Sequence, residues 1–399
     1  TIWKPLVMNR VKPMRKSNVN RERLVETFIR LVKIKSFSGC ESEVLKDITR
    51  HLDNLGVVYN VDKMGNLHAL ISSSPPCSTG DAGPETVMFC CHMDTVSIGD
   101  EINPVIDDGV ISSDGTSILG ADDKAGIAAV LEAITTIKEK GLPHGPIELV
   151  FTVQEEKGLN GSKHFDFSVL RSRINYVIDG SMKPGTIAIA APYKESIDIV
   201  VKGLEAHAGL NPEKGISAIQ VAARAIDRMK LLRIDDGTTA NLGMITGGVS
   251  ENIVCPEVKI TGEVRSRSLT GLEKQKTHMY ECFKKACEDY NAEMDFCSVL
   301  KYKGYSVSED EDIVKYFKKA CRDVGVEYGA CVSNGGSDAN TFNSAGIKSV
   351  VVGTGVNRAH TKQENISVEN LAMTSEILLS LINTVAKAGN NQIAESNEF

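Results

Sequence analysis

Four short apolar-rich runs, residues 86–91, 147–153, 174–178 and 347–352, alternate along the chain with stretches of helical period. Each run is too short to be a helix, and its composition is that of a strand buried on both faces. The helical stretches carry apolar residues at spacings of three and four. Leu24, Phe28, Leu31 and Val32 form one such set. Val44, Leu45, Ile48, Leu52 and Leu55 form another, closed by Gly56, and Ile127, Leu131, Ile134 and Ile137 lie within a helix over 125–138. Residues 311–324 read as a further helix. Strands and helices in alternation predict an α/β domain with a mostly parallel sheet covered on both faces.

The middle of the chain has another rhythm. Residues 195–201 alternate as a strand does. A helix with Ile216, Ile219, Ala222, Ala223, Ile226 and Met229 follows, then strands over 241–246 and 258–264. A helix opening with Thr270 and Glu273 as a capping box comes next, and a strand over 293–301 closes the set. This is the β-α-β-β-α-β pattern of a ferredoxin-like α+β body. The chain therefore divides into a discontinuous domain, residues 1–191 and 305–399, and an inserted one, residues 192–304. Residues 72–84 read as a surface loop, and the polar tail beyond Gly389 as a fraying end.

The chain has 399 residues, enough for two domains, and 52 acidic against 45 basic side chains give a net charge of −7. That is not the footprint of a nucleic-acid binder. Its 10 cysteines have no CxxC pairing and several lie in core-like runs, among them Cys90 and Cys91, so free thiols in a reducing compartment are expected. No stretch reads as a membrane span. The first residues carry Lys4, Arg10, Lys12, Arg15 and Lys16 without the apolar middle of a secretory signal. A cytoplasmic location is the expectation.

The chemistry lies where strands end. Cys91-His92-Met93-Asp94-Thr95 follows the first run, and the period of two points His92 and Asp94 the same way, so Asp94 can hold the free ring nitrogen of His92. Gly120-Ala121-Asp122-Asp123-Lys124-Ala125-Gly126 opens a helix, where paired acids ordinarily offset the macrodipole. Glu155 and Glu156 end the second run. Adjacent carboxylates repel unless a cation neutralises them, and with one present the first can ligate while the second acts as a base, or the reverse. Asp179 ends the third run and His360 lies beyond the fourth. Each segment alone has an ordinary explanation as a solvated loop or a helix cap. Together, two histidines and several carboxylates at strand ends suit borderline-hard divalent ions such as zinc, cobalt or manganese.

The segments His92-Met93-Asp94-Thr95-Val96, Gly120 to Gly126, Glu155-Glu156, Val177-Ile178-Asp179-Gly180 and Arg358-Ala359-His360 resemble, in order, the metal-binding signature of the di-zinc superfamily of aminoacylases, carboxypeptidases, desuccinylases and tripeptidases. The likeness is greatest to its peptidase T (tripeptide aminopeptidase) branch. It implies a catalytic domain with an inserted lid and two zinc ions per subunit, with cobalt or manganese as substitutes. Asp122 would bridge the ions. His92 and Asp179 would complete one shell, and Glu156 and His360 the other. Asp94 would orient His92, and Glu155 would be the catalytic base. A cis peptide between Asp122 and Asp123 is a further implication.

Residues 203–209, Gly-Leu-Glu-Ala-His-Ala-Gly, resemble the segment carrying the lid histidine, which makes His207 a donor to the developing oxyanion, supplied across the dimer in dimeric relatives. Asn252 and Arg265 match lid residues that grip the substrate carboxylate or backbone. Gly335-Gly336-Ser337-Asp338 resembles a substrate-side loop. The implied protein is a homodimeric aminopeptidase for short peptides, binding neither nucleic acid nor membrane. Two alternatives stand beside it: an N-acyl amino-acid deacylase or carboxypeptidase of the same superfamily, and a non-catalytic metal-binding scaffold that dimerises through the lid.

Overall fold

The computed structural model describes residues 18–75, 85–97, 99 and 101–396, with side chains of the final helix through residue 388. The basic N-terminal stretch and most of the 72–84 loop lie outside the described residues. Two compact units emerge. The first takes the chain up to Thr186, Asp312–Gly329 and the part from Val352 onward; the second takes Ile187–Glu311 and Ala330–Val351. The second unit thus holds 330–351 in addition to the body inferred over 192–304.

At the centre of the first unit, strand Val87–His92 pairs in parallel with both Ile147–Thr152 and Ile174–Gly180. All six residues of Val87–His92 and of Ile147–Thr152 are buried, which is why both run apolar instead of alternating. Outside them, Leu67–Ile71 pairs antiparallel with Ile147–Thr152, and Tyr59–Val61 antiparallel with Leu67–Ile71. The sheet is therefore mixed, and the expectation of a mostly parallel one is corrected. The antiparallel margin comes from a tight hairpin, which requires no crossover helix. Its turn is set by Asp62, whose Oδ1 accepts the amides of Met64, Gly65 and Asn66 at 2.8, 2.9 and 2.9 Å.

The helices cover this sheet as their spacing predicts. Leu24, Phe28, Leu31 and Val32 are buried, as are Val44, Ile48 and Leu52. Helix Ala121–Lys140 is buried along nearly its whole length and ends at Gly141 in the left-handed region (φ 57°). The final helix, Val368–Ser396, continues past Gly389. Its part Val368–Ala388 is long and apolar enough to cross a membrane, contrary to the sequence reading, and 61% of its most apolar window is buried within the protein. A helix apolar on most sides suits a core as well as a bilayer. Here Ser375 Oγ donates to the Ala129 carbonyl of the Ala121–Lys140 helix at 3.0 Å.

The second unit contains an antiparallel sheet ordered Leu232–Arg233, Thr238–Gly247, Glu257–Ser266, Tyr193–Lys202, Glu293–Tyr302. Helices Ala218–Asp227 and Leu269–Tyr290 interrupt the strands in the order the sequence suggested. Ile197, Ile199, Val201, Val258, Ile260 and Val264 meet Val221, Ala222, Leu272, Met279 and Phe283 in one core. The longer helix starts earlier than expected. Ser268, not Thr270, is its N-cap, and the Ser268 hydroxyl accepts from Gly271 N at 3.0 Å, while Glu273 pairs with Lys276. Among the described residues nine cysteines are free thiols, Cys90 and Cys91 among the buried ones.

Candidate metal centre

The first unit brings its five strand-end segments together. The Val87–His92 strand stops at a buried histidine whose Nδ1 lies 2.9 Å from the Asp94 carbonyl oxygen and 3.5 Å from Asp94 Oδ1. A carbonyl only accepts, so Nδ1 carries a proton and Nε2 is the ring nitrogen turned towards the neighbouring carboxylates. That Nε2 faces Asp122 Oδ1 at 3.1 Å and Asp179 Oδ1 at 3.5 Å. Asp94 makes its nearer contact to the ring from its main chain. Its carboxylate is engaged elsewhere: it accepts the amides of Glu155 and Glu156 at 2.9 and 3.2 Å and the Ser38 hydroxyl at 2.5 Å.

The two aspartates of the helix entrance divide their work. Asp123 caps the helix, its Oδ1 accepting Gly126 N at 3.2 Å while Oδ2 accepts His92 N at 3.3 Å. Asp122 and Asp123 both leave helical backbone angles, and the peptide between them is cis. Gly126 has to be glycine, since a Cβ there would strike Asp123 Oδ1 and the Ile178 carbonyl. Asp122 is thereby free to face two histidines at once: its second oxygen lies 3.1 Å from His360 Nε2. His360 Nε2 is also 2.7 Å from Glu156 Oε1, a buried oxygen. His360 itself is half-exposed and holds a left-handed backbone (φ 63°) in a turn closed by the Thr361 hydroxyl on the Arg358 carbonyl at 2.7 Å. Glu155 is buried in the turn it shares with Glu156, where its carbonyl accepts Gly158 N at 2.9 Å.

Charge crowding shifts these groups apart. Burial, then the adjacent Asp122 charge, pushes the Asp179 carboxyl up to about 7. Burial and Asp179 lift Asp123 well above the usual carboxylate range. Burial works against a charged His92, yet Asp122, Asp179 and Asp94 raise it well above its ordinary value. Burial also works against ionised Asp122, but His360 and His92 hold it low. Asp122 and Glu156 raise His360 to about 10. The donors fit divalent cations: His92, Asp122 and Glu156 each bring a ligand atom within 4.8 Å of one another, and so do His92, Asp123 and Asp179. Two imidazoles and clustered carboxylates are the donor set that suits such ions.

The residues expected to hold substrate lie in the second unit. His207 is exposed, and its Nδ1 accepts the amides of Gly209 and Leu210 at 3.1 and 3.2 Å, which leaves Nε2–H as the outward donor. Ala208 N donates to the Asn252 carbonyl at 2.9 Å, so His207 and Asn252 sit on adjoining segments. The Asn252 side chain receives the Ser250 hydroxyl. Arg265 is held by Glu263 at 2.7 Å and reaches the Asn334 carbonyl at 3.3 Å. Gly336 packs against the Tyr302 ring, and Ser337 is the N-cap of helix Asp338–Ser344. Three residues around the metal centre had escaped the sequence reading. Buried Glu364 accepts amides at the Asp122 segment, Glu41 accepts those of Gly39 and Gln154, and Ser38 binds Asp94. No motif marks them, because each acts over a long separation or through the backbone.

Residues 88–384 match the model of peptidase family M20/M25/M40. The uncharacterized protein YqjE of Bacillus subtilis is 39% identical over 370 residues, 92% of this chain and all of that protein. The crystal structure of aminopeptidase PepT from Bacillus cereus is 40% identical with a TM-score of 0.85, covering 92% of this chain and 100% of that one. A tripeptidase structure from Staphylococcus aureus is 36% identical with a TM-score of 0.87, covering 92% and 99%. With a family match over most of its length and these relatives beside it, the chain belongs to peptidase family M20/M25/M40, in the peptidase T-like branch.

Proposed function

We propose that this peptidase is a two-metal, peptidase T-like aminopeptidase that hydrolyses short peptides. The observation that carries the proposal is Asp122, one oxygen 3.1 Å from His92 Nε2 and the other 3.1 Å from His360 Nε2. His92, Asp122 and Asp179 would hold one ion, and Asp122, Glu156 and His360 the other, with zinc favoured by the imidazole–carboxylate set. The ions would supply a polarised scissile carbonyl and a more acidic attacking water. Glu155 would take the proton of that water and return it to the leaving amine. His207, its Nδ1 committed to two amides, would offer Nε2–H to the developing oxyanion. Asn252, Arg265, Gly336 and Ser337 are assigned to the substrate's backbone and carboxylate on resemblance. The five-stranded body is assigned as lid and dimerisation domain on the same ground. Its Thr238–Gly247 strand supports the latter role, being partnered on its outer side only at Thr239 and Ala240 and exposing Met244 and Ile245.

The test is Glu155→Gln with metal analysis. We expect metal content to be kept and turnover to fall by roughly 10²–10⁴-fold, the scale of general-base catalysis. Undiminished turnover would reject Glu155 as the base, and a wild type that binds metal without any turnover would favour a non-catalytic scaffold. Free, N-acylated and C-amidated tripeptides separate the peptidase specificities; cleavage confined to the N-acylated set would reject the aminopeptidase reading in favour of a deacylase.

A further inference from the structure

Glu364 lies four residues beyond His360 and just before the short strand Asn365–Ser367, with its side chain almost wholly buried. Its two oxygens take two different amides of the Asp122 segment. Oε2 accepts Gly120 N at 2.7 Å and Oε1 accepts Asp122 N at 3.0 Å. Those amides need an outside acceptor. Gly120 is left-handed (φ 70°), no N-cap side chain bonds there, and Asp122 and Asp123 are not helical, so the backbone at this entrance makes no helical ladder. The amide of Glu364 meanwhile donates to the Thr361 carbonyl at 3.1 Å, which ties it into the turn that carries His360.

One carboxylate therefore joins two segments that are more than 230 residues apart in sequence, and each segment presents a side chain to the other: Asp122 and His360, 3.1 Å apart. The Asp122 segment is also held on its other side, where Asp123 accepts Gly126 N and His92 N. Lys124, which is fully buried and donates to the Ile34 carbonyl at 2.6 Å, feels the Glu364 charge.

We propose that Glu364 is a positioning residue that holds the turn of His360 against the Asp122 segment, and so controls loading of the metal position formed by Asp122, Glu156 and His360. The proposal rests on the two-metal reading above. It acts through the backbone and assigns Glu364 no contact with metal or substrate. Replacing it with glutamine keeps the volume but turns one acceptor into a donor aimed at an amide N–H, which forces the entrance to move.

The experiment is a Zn²⁺ titration of the purified metal-free protein against a competing chelator, comparing wild type, Glu364→Gln and His360→Ala. We expect wild type to bind two equivalents. Glu364→Gln should keep one equivalent at wild-type affinity and bind the second roughly 10–100-fold more weakly, the range found when partners of metal ligands are removed, following the His360→Ala curve. A merely structural role would weaken both equivalents alike or lower thermal stability alone, and either result overturns the proposal, as does a wild-type isotherm in the variant. Should Glu364→Gln not fold, Glu364→Asp, which keeps the charge on a shorter arm, is to show the same selective loss; equal affinity at both positions would overturn it. Failure of wild type to take up two ions would overturn the two-metal reading itself, and this proposal with it, and is distinguishable because it needs no variant.

Discussion

The aspartate pair at 122 and 123 shows how neighbouring identical residues acquire separate roles. Asp123 turns inward to cap a helix and hold His92 N, and this releases Asp122 to stand between the two histidines. Asp94 is similar in kind: its carboxylate organises the turn bearing Glu155 and Glu156 more than it organises the His92 ring. Asp94→Asn would lose one acceptor for those amides, and metal affinity should fall roughly 10–100-fold, read by chelator competition; unchanged affinity would show that the turn holds without it. A second buried carboxylate belongs to stability instead. Glu148 accepts the amides of Arg171 and Ser172 at 2.9 and 2.8 Å and lies 3.2 Å from His68 Nε2. Burial opposes its charge, but His68 and the two amides outweigh that and hold its pKa below the ordinary value. A folded-state pKa below the unfolded one gives stability that is present above the unfolded value and lost as pH falls through the folded one. Glu148→Gln should therefore cost about 1–3 kcal/mol in urea unfolding at pH 7, with the gap to wild type narrowing towards pH 3. A gap that widens on acidification would contradict this sign.

At the scale of elements, the sequence announced what period and strand-end chemistry can encode. The Val87–His92 and Ile147–Thr152 strands were legible because both faces are buried, and His92, Glu155 and Glu156 stood out as candidates because they lie where those strands end. The hairpin Tyr59–Val61/Leu67–Ile71 was not, since its strands are short and its outer member is largely exposed. Glu364 was invisible because its partners are backbone amides distant in sequence, which leave no spacing to find. The Thr270 cap was misplaced because Ser268 and Thr270 are both good capping residues two positions apart. Only the hydroxyl that accepts from Gly271 N distinguishes them. Ser268→Ala should cost about 1 kcal/mol of stability and Thr270→Ala much less, by thermal unfolding; the reverse order would return the cap to Thr270. Gly126→Ala tests the close approach of the Ala121–Lys140 helix to the Ile178 carbonyl. Overpacking of this kind costs typically 1–3 kcal/mol, and a Gly126→Ala protein as stable as wild type would show that the contact yields easily.

For the molecule as a whole, two units of different rhythm were apparent from the sequence, and the family likeness carried the rest of the functional reading. The proposed dimer is a claim at this scale. Met244 and Ile245 are 65% and 57% exposed on an edge strand that lacks a full-length neighbour. Lysines at both positions should shift the protein from dimer to monomer in sedimentation while leaving its helical signal intact. A wild-type protein that sediments as a monomer would end the idea.

The strand bearing Asp179 ends just before the chain enters the second unit, and His360 comes only after that unit has been traversed. On the ribosome, where chains emerge from the N-terminus at roughly 5–20 residues per second, this ordering imposes a delay of many seconds. His92, Asp122, Glu156 and Asp179 are all outside the exit tunnel well before His360 has been translated. A nascent chain therefore presents four of the five polar groups of the candidate site early, and the constellation is complete only when residue 360 arrives.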